Sequence, residues 1–141
     1  MAASPIPRVL WDTTVYIDYL SNSILPSRVA RGYMLLSSVV VAELYAGAES
    51  QDAADRLDRL FETMDSLGRL VTPTPSDWKQ TGKILARIGR KFGFEEIGRS
   101  RLTNDVLIAI SAARTDAVLC TGNAKDFQRI RQFLDFSFLV A

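Results

Sequence analysis

Apolar positions along the chain alternate between short continuous runs and longer stretches with helical spacing. Arg8-Val9-Leu10-Trp11 is a short run that stops at Asp12. Val15, Ile17, Tyr19 and Leu20 then recur at helical intervals, with Thr13 or Thr14 as the expected cap. After a polar stretch containing Pro26, Tyr33-Met34-Leu35-Leu36 reads as a second strand or a buried turn. Ser37-Ser38 can cap a helix carrying Val39 to Ala46, and Gly47 fits its end. Residues 51 to 67 set Leu57, Leu60, Phe61, Met64 and Leu67 against Asp55, Arg56, Asp58, Arg59 and Glu62, the mark of an amphipathic helix.

Arg69-Leu70-Val71-Thr72 predicts a short strand, and Pro73-Thr74-Pro75-Ser76 breaks the chain before a helix over 77–91. Trp78, Ile84, Leu85 and Ile88 are expected to face inward from it. Residues 93–102 read as a loop, and Thr103 as the N-cap of a helix over 104–113, with Asp105 in a first turn that favours an anion. That helix is apolar nearly all round and is therefore expected at the centre. A strand over 117–121, a turn at Gly122-Asn123, a helix over 124–133 and a strand over 136–140 complete the order. Alternating strands and helices predict the α/β class: a single doubly wound domain over 1–141 with a central parallel sheet flanked by helices, residues 1–7 being a short N-terminal extension.

Composition narrows the chemistry more than the fold. A chain of 141 residues that is 48% hydrophobic can build one sizeable core. It holds no histidine, which excludes histidine general bases, Ser-His-Asp triads and histidine-containing zinc sites. With 17 basic and 16 acidic residues the net charge is only +1, so overall basicity gives no argument for nucleic acid. Cys120, the lone cysteine, lies in an apolar run and reads as a buried thiol. The first seven residues lack a signal-peptide pattern and no apolar run approaches a membrane span, so a cytoplasmic protein is expected.

Four acids, Asp12, Glu43, Asp105 and Asp126, fall where an apolar or buried segment gives way to a helix start. Each has an ordinary explanation: a turn for Asp12, the helix dipole for Asp105, a first-turn acid for Asp126. Glu43 is hardest to explain that way, since Val39-Val40-Val41-Ala42 before it and Leu44 after it belong in a core. In open α/β sheets, ligands bind at the carboxyl ends of the strands, so acids placed by separate turns can converge there. Carboxylates held together repel by about 1 kcal/mol per pair at ~4 Å even in water, and such a site asks for a cation. Oxygen-only ligation suits Mg²⁺ or Mn²⁺, and the chemistry that follows is phosphoryl transfer. Gly82-Lys83 lacks the spacing of a P-loop, and no dinucleotide-binding glycine motif follows any strand.

The segments Leu10 to Leu20, Ser37 to Ala48, Thr103 to Ala109 and Cys120 to Phe127 together resemble the four blocks of a PIN domain, and their order and spacing are similar to the VapC-like toxins. The resemblance implies a Mg²⁺- or Mn²⁺-dependent endoribonuclease that hydrolyses RNA phosphodiester bonds. It implies the toxin of a type II toxin-antitoxin pair, a homodimer held inactive by a small antitoxin whose Arg or Lys enters the acidic site. By block, Asp12, Glu43 and Asp105 match the catalytic metal-binding acids and Asp126 the more variable fourth. In some relatives the fourth acid stands nearer the threonine, where this chain has Gly122 and Asn123, which leaves Asn123 as an alternative ligand or water holder. Thr13, Asn104 and Thr121 stand beside the acids and either orient them or serve as caps and strand ends. Asp18 reads as structural or as a surface charge. Two alternatives stand beside the nuclease: a non-catalytic PIN-like module that binds RNA or protein, and a related DNA nuclease. Lys83, Arg87, Arg90, Lys91, Arg99 and Arg101 make 83–101 locally basic, either as contacts for RNA phosphate or as a solvated face. Segments 51–67 and 16–20 offer an apolar groove for an antitoxin helix, or plain core.

Overall fold

Strand β1 (Arg8–Trp11) runs through the middle of the sheet, and its three residues after Arg8 are all buried, as a strand covered on both faces requires. The structure is a computed structural model and describes residues 6–21, 32–96 and 100–141. From β1 the chain passes through α1 (Thr13–Leu20) to β2 (Tyr33–Ser37), then through α2 (Ser38–Ala46) and α3 (Gln51–Ser66) to the two-residue β3 (Leu70–Val71). It returns through α4 (Pro75–Phe92), a 3₁₀ turn at Phe94–Glu96 and α5 (Ser100–Arg114) to β4 (Val118–Thr121), and ends with α6 (Ala124–Arg131) and β5 (Ser137–Val140). The strand order is β3-β2-β1-β4-β5 with every pairing parallel, and Leu10 stands beside Leu35 on one side and Leu119 on the other.

The expected doubly wound α/β architecture is therefore present. Right-handed crossovers assign α1, α2 and α3 to one face and α4, α5 and α6 to the other. Contacts between helices agree: α1 packs on α2 and α2 on α3, while α4 packs on α5 and α6. Helix α5 is central, as its composition predicts, with every residue from Val106 to Ile110 buried. Strand order reverses between β1 and β4, and ligands of open α/β sheets bind in the crevice outside such a switch point.

Four local expectations are corrected. Helix α5 begins at Ser100, so Thr103 lies inside it and Asp105 sits in its second turn. Leu102 already belongs to the buried stripe that continues through Val106 and Ile110, which carries the helix back past Thr103. Residues Phe94–Glu96 form a 3₁₀ turn in the stretch read as loop. Trp78 does not face inward but is 55% exposed. The buried stripe of α4 is Asp77, Thr81, Ile84 and Ile88, which turns Trp78 about 100° away from the core. Asp77 is buried because it reciprocates the Thr74 cap and pairs with Arg114 Nε at 2.9 Å. Leu67 is likewise exposed, standing at the C-cap of α3. Pro26, Arg99 and the side chain of Arg101 lie outside the described residues. No helix among the described residues is long and apolar enough to cross a membrane.

Candidate active site

Asp12 follows β1 directly and is itself the N-cap of α1, taking the role expected of Thr13 or Thr14. Its Oδ1 accepts the Thr13 backbone N–H at 2.6 Å, and its Oδ2 accepts the hydroxyls of Thr14 at 3.1 Å and Thr121 at 2.7 Å. The carboxylate is 4% exposed and sits at the switch point, since Thr121 ends β4 on the neighbouring strand. All three of these donors are neutral. The ion pair between Asp77 and Arg114 lies apart from Asp12. A buried carboxylate in such a setting is stabilised further by a cation.

Glu43 is half-buried, not enclosed by core as its apolar neighbours suggest, because Val40 and Leu44 turn inward and leave it toward the side of α2. Its Oε1 accepts the Thr13 hydroxyl at 2.8 Å. Thr13 thus donates to Asp12 through its backbone and to Glu43 through its side chain, spanning the two acids.

Asp126 lies in the first turn of α6, where Asn123 is the N-cap. The Asn123 amide donates to Asp126 Oδ2 at 2.9 Å, and the Asn123 backbone N–H donates to the Thr121 hydroxyl at 2.9 Å. A continuous path of hydrogen bonds therefore runs from Glu43 through Thr13, Asp12, Thr121 and Asn123 to Asp126. Asp126 and Asn123 come as a bonded pair.

Asp105 reaches the same end of the sheet by a different route. Arg114, at the end of α5, lines a cleft with Arg8, Tyr33 and Leu70 at the amino ends of the strands. Asp105 lies two and a half turns earlier, about 13 Å up the helix axis, which is about the length of a four-residue strand. It is 5% exposed, on a helix that also packs against α2. Among the described residues, however, no three carboxylates surround a common point at ligating distance. Threonine hydroxyls, not shared oxygens, stand between Asp12 and its neighbours, consistent with the mutual repulsion of like charges.

The donor set fits a hard, oxygen-preferring divalent cation: its groups are carboxylates and hydroxyls, the chain has no imidazole, and the Cys120 thiol is buried in β4. Asp12, Glu43 and Asp105 are the residues that could hold one, with Asp126 and Asn123 at the far end of the path. Thr13 and Thr121, for which capping and strand termination were equal readings, do contact the acids. Thr14 was missed as more than a cap; its hydroxyl also accepts the Gly122 N–H at 3.1 Å and so ties α1 to the turn after β4. The adjacent Asp-Thr-Thr was the available signal. Asn104 faces a small cleft with Ser38 and Trp78, and Asp18 is half-buried on α1. Arg87 and Lys91 are held near the Phe133 ring, at 5.2 and 6.0 Å, an arrangement that explains them as packing on the segment that follows α6.

Comparison with known proteins places these features in a family. A model of the PIN domain matches residues 9–132. Ribonuclease VapC1 of Haemophilus influenzae strain R2866 is 29% identical over 128 residues, covering 84% of this chain and 89% of the relative. Ribonuclease VapC2 of Haemophilus influenzae strain Rd is 29% identical over 99 residues, 70% of each chain. A crystal structure of DNA-bound VapBC from Salmonella typhimurium shares the fold with a TM-score of 0.66 at 23% identity, covering 96% of this chain and 98% of that one. The matched region contains all four acids and the hydrogen-bonded path between Glu43 and Asp126, and the chain belongs to the PIN domain family.

Proposed function

We propose that this chain is a Mg²⁺- or Mn²⁺-dependent endoribonuclease, the toxin of a type II toxin-antitoxin pair, acting in the cytoplasm as a homodimer restrained by a small antitoxin. The observation that carries the reading is Asp12: a buried carboxylate at the switch point, held by three neutral donors and joined to Glu43 through Thr13. The naming of its relatives as ribonucleases supports the choice of RNA.

Asp12, Glu43 and Asp105 would hold the cation, with Asp126 completing the acidic set. When bound, the cation would offset charge on the scissile phosphate and make water at the site more acidic. The residues themselves supply orientation and a proton acceptor. Thr121 and Thr14 fix both lone-pair directions of Asp12 Oδ2, and Thr13 fixes Glu43 Oε1. Glu43, the more exposed of the two, is the better placed to take the proton of the attacking water, whose oxygen bonds to phosphorus as one P–O bond breaks. The leaving oxygen departs with a proton from solvent.

An apolar groove of about 370 Å³ between α1 and α3, lined by Trp11, Tyr16, Tyr19, Leu57, Leu60 and Met64, supports the partner reading. It combines the two segments expected to form such a groove, and its size and lining suit the apolar face of an antitoxin helix. A basic antitoxin side chain reaching the acids would compete with the cation.

The test is a side-by-side assay of purified protein on single-stranded RNA and flap DNA across Mg²⁺ and Mn²⁺ concentrations. RNA cleavage that stops with EDTA is expected. Cleavage of flap DNA alone assigns a DNA nuclease, and metal-independent RNA binding without cleavage assigns a non-catalytic module.

A further inference from the structure

We propose that Trp78 and the cleft beside it hold an unstacked base of single-stranded RNA next to the acidic site. The inference deepens the ribonuclease reading and takes its choice of ligand from it.

Trp78 stands in the first turn of α4 with more than half its surface in solvent, an unusual position for the largest apolar side chain. It lines a cleft of about 300 Å³ with Ser38, Val39, Asn104 and Leu107. The walls of that cleft adjoin the acids. Val39 lies one turn before Glu43 on α2, on the same side of the helix, and Asn104 immediately precedes Asp105.

The lining matches a flat, neutral group with a polar edge. Leu107 is buried and gives an apolar floor, the indole gives a stacking surface, and the Ser38 hydroxyl and Asn104 amide can donate and accept hydrogen bonds. No charged side chain lines it, so it is not built for phosphate. Sequence-specific RNA recognition uses this combination, stacking a splayed base on an aromatic ring and reading its edge with side-chain polar groups. The groove between α1 and α3, mostly apolar and edged by Arg56 and Arg69, is the better fit for a protein helix, and the smaller cleft without charge the better fit for a base.

Gly82 adds an independent observation. Glycine is a poor helix former, yet Gly82 sits inside α4, one turn beyond Trp78 on the same side. A Cβ there would meet nothing within 4 Å, so packing does not explain it. Its bareness leaves the approach to the indole uncovered.

The expected result for Trp78→Ala is a KM for short unstructured RNA raised about five- to hundredfold, with kcat little changed, while Trp78→Phe stays within about threefold. Gly82→Leu, which the open space allows to fold, should raise KM in the same direction. Replacing one nucleotide beside the cut by an abasic ribose should cost wild-type protein a similar factor and cost Trp78→Ala nothing further. Fluorescence gives a second readout: Trp11 is 8% exposed, so quenching on addition of RNA to Asp12→Asn protein should come from Trp78 and vanish in the Asp12→Asn, Trp78→Phe double variant. Wild-type KM in Trp78→Ala, or equal abasic penalties in both proteins, overturns the base cleft and leaves the ribonuclease intact. Saturable Trp78-dependent quenching in a protein that cuts no RNA with either metal upholds the cleft and removes the hydrolytic function.

Discussion

The Thr121 hydroxyl donates to Asp12 Oδ2 at 2.7 Å across the seam between β1 and β4, and both side chains are buried. The same hydroxyl accepts the Asn123 backbone N–H, so one oxygen positions the acid of the first strand and the turn after the fourth. Parallel pairing of Trp11 with Cys120 sets this contact, because it brings the next residue of each strand to the same level.

Thr121→Val keeps the shape and removes the hydroxyl. It leaves a buried carboxylate short of one donor and a backbone N–H without its acceptor, and should cost about 1–3 kcal/mol in urea unfolding. Thr121→Ser should recover most of that loss. A valine variant as stable as wild type would mean that the contact contributes nothing to the fold.

Thr13→Val separates orientation from folding. The backbone donor to Asp12 survives, while Glu43 loses the hydroxyl that holds it. We expect kcat for RNA cleavage to fall about 10- to 100-fold, as when a ligand's supporting partner is removed, with the unfolding midpoint nearly unchanged. An unaltered kcat would show that Glu43 needs no such support.

Asp77→Ala tests structure without touching the acids. It removes half of the capping box of α4 and the partner of Arg114. Because the arginine is 39% exposed, solvent screens part of the ion pair, and the combined cost should be about 2 kcal/mol. Metal affinity measured by calorimetry should not change. A loss of metal binding in a folded Asp77→Ala protein would place this residue in the site.

These contacts separate what the residue order reveals from what it hides. Strands β1 and β4 are legible because unbroken apolar runs end at polar residues that close the strand or cap a helix, Asp12 after the first and Thr121 at the close of the second. Of the acids only Asp12 stands out for this reason, while Glu43 stands out because it interrupts an apolar helix. The hydroxyls of Thr13 and Thr121 are legible only as groups that either orient the acids or cap and end elements, since Thr121 and Asp12 meet through a sheet order that places the first and fourth strands side by side. Trp78 misleads because an indole in a helical stripe reads as core. Its neighbour Asp77 takes the inward position because it completes the Thr74 cap and because Arg114, on another helix, neutralises it. The start of α5 is hidden by Thr103, a good capping residue overridden by the burial of Leu102.

Alkaline pH should loosen the contact between α2 and α3. Tyr45 donates to Asp58 at 2.6 Å, and this bond, followed by burial and the charges of Asp58 and Glu62, pushes its phenol from 10.0 up to about 12. Burial pushes the Tyr16 phenol up as well. A raised folded value means that the Tyr45 contribution is present in full below pH 10 and is lost as pH rises through about 12. Ultraviolet titration should show two late-ionising tyrosines, of which the Tyr45 step disappears in Tyr45→Phe and moves to lower pH in Asp58→Asn while the Tyr16 step stays. Ordinary titration of Tyr45 in the folded wild type would contradict this.

The most direct measurement of the central claim is metal-dependent RNA cleavage by Asp12→Asn beside wild type. Asparagine caps a helix as well as aspartate does, so the substitution removes the charge and keeps the fold, which circular dichroism can verify. Wild-type protein should cut single-stranded RNA with Mg²⁺ or Mn²⁺ and stop with EDTA, and Asp12→Asn should lose more than about a hundredfold in kcat/KM. RNA cleavage that persists in EDTA and is undiminished in Asp12→Asn would contradict the account.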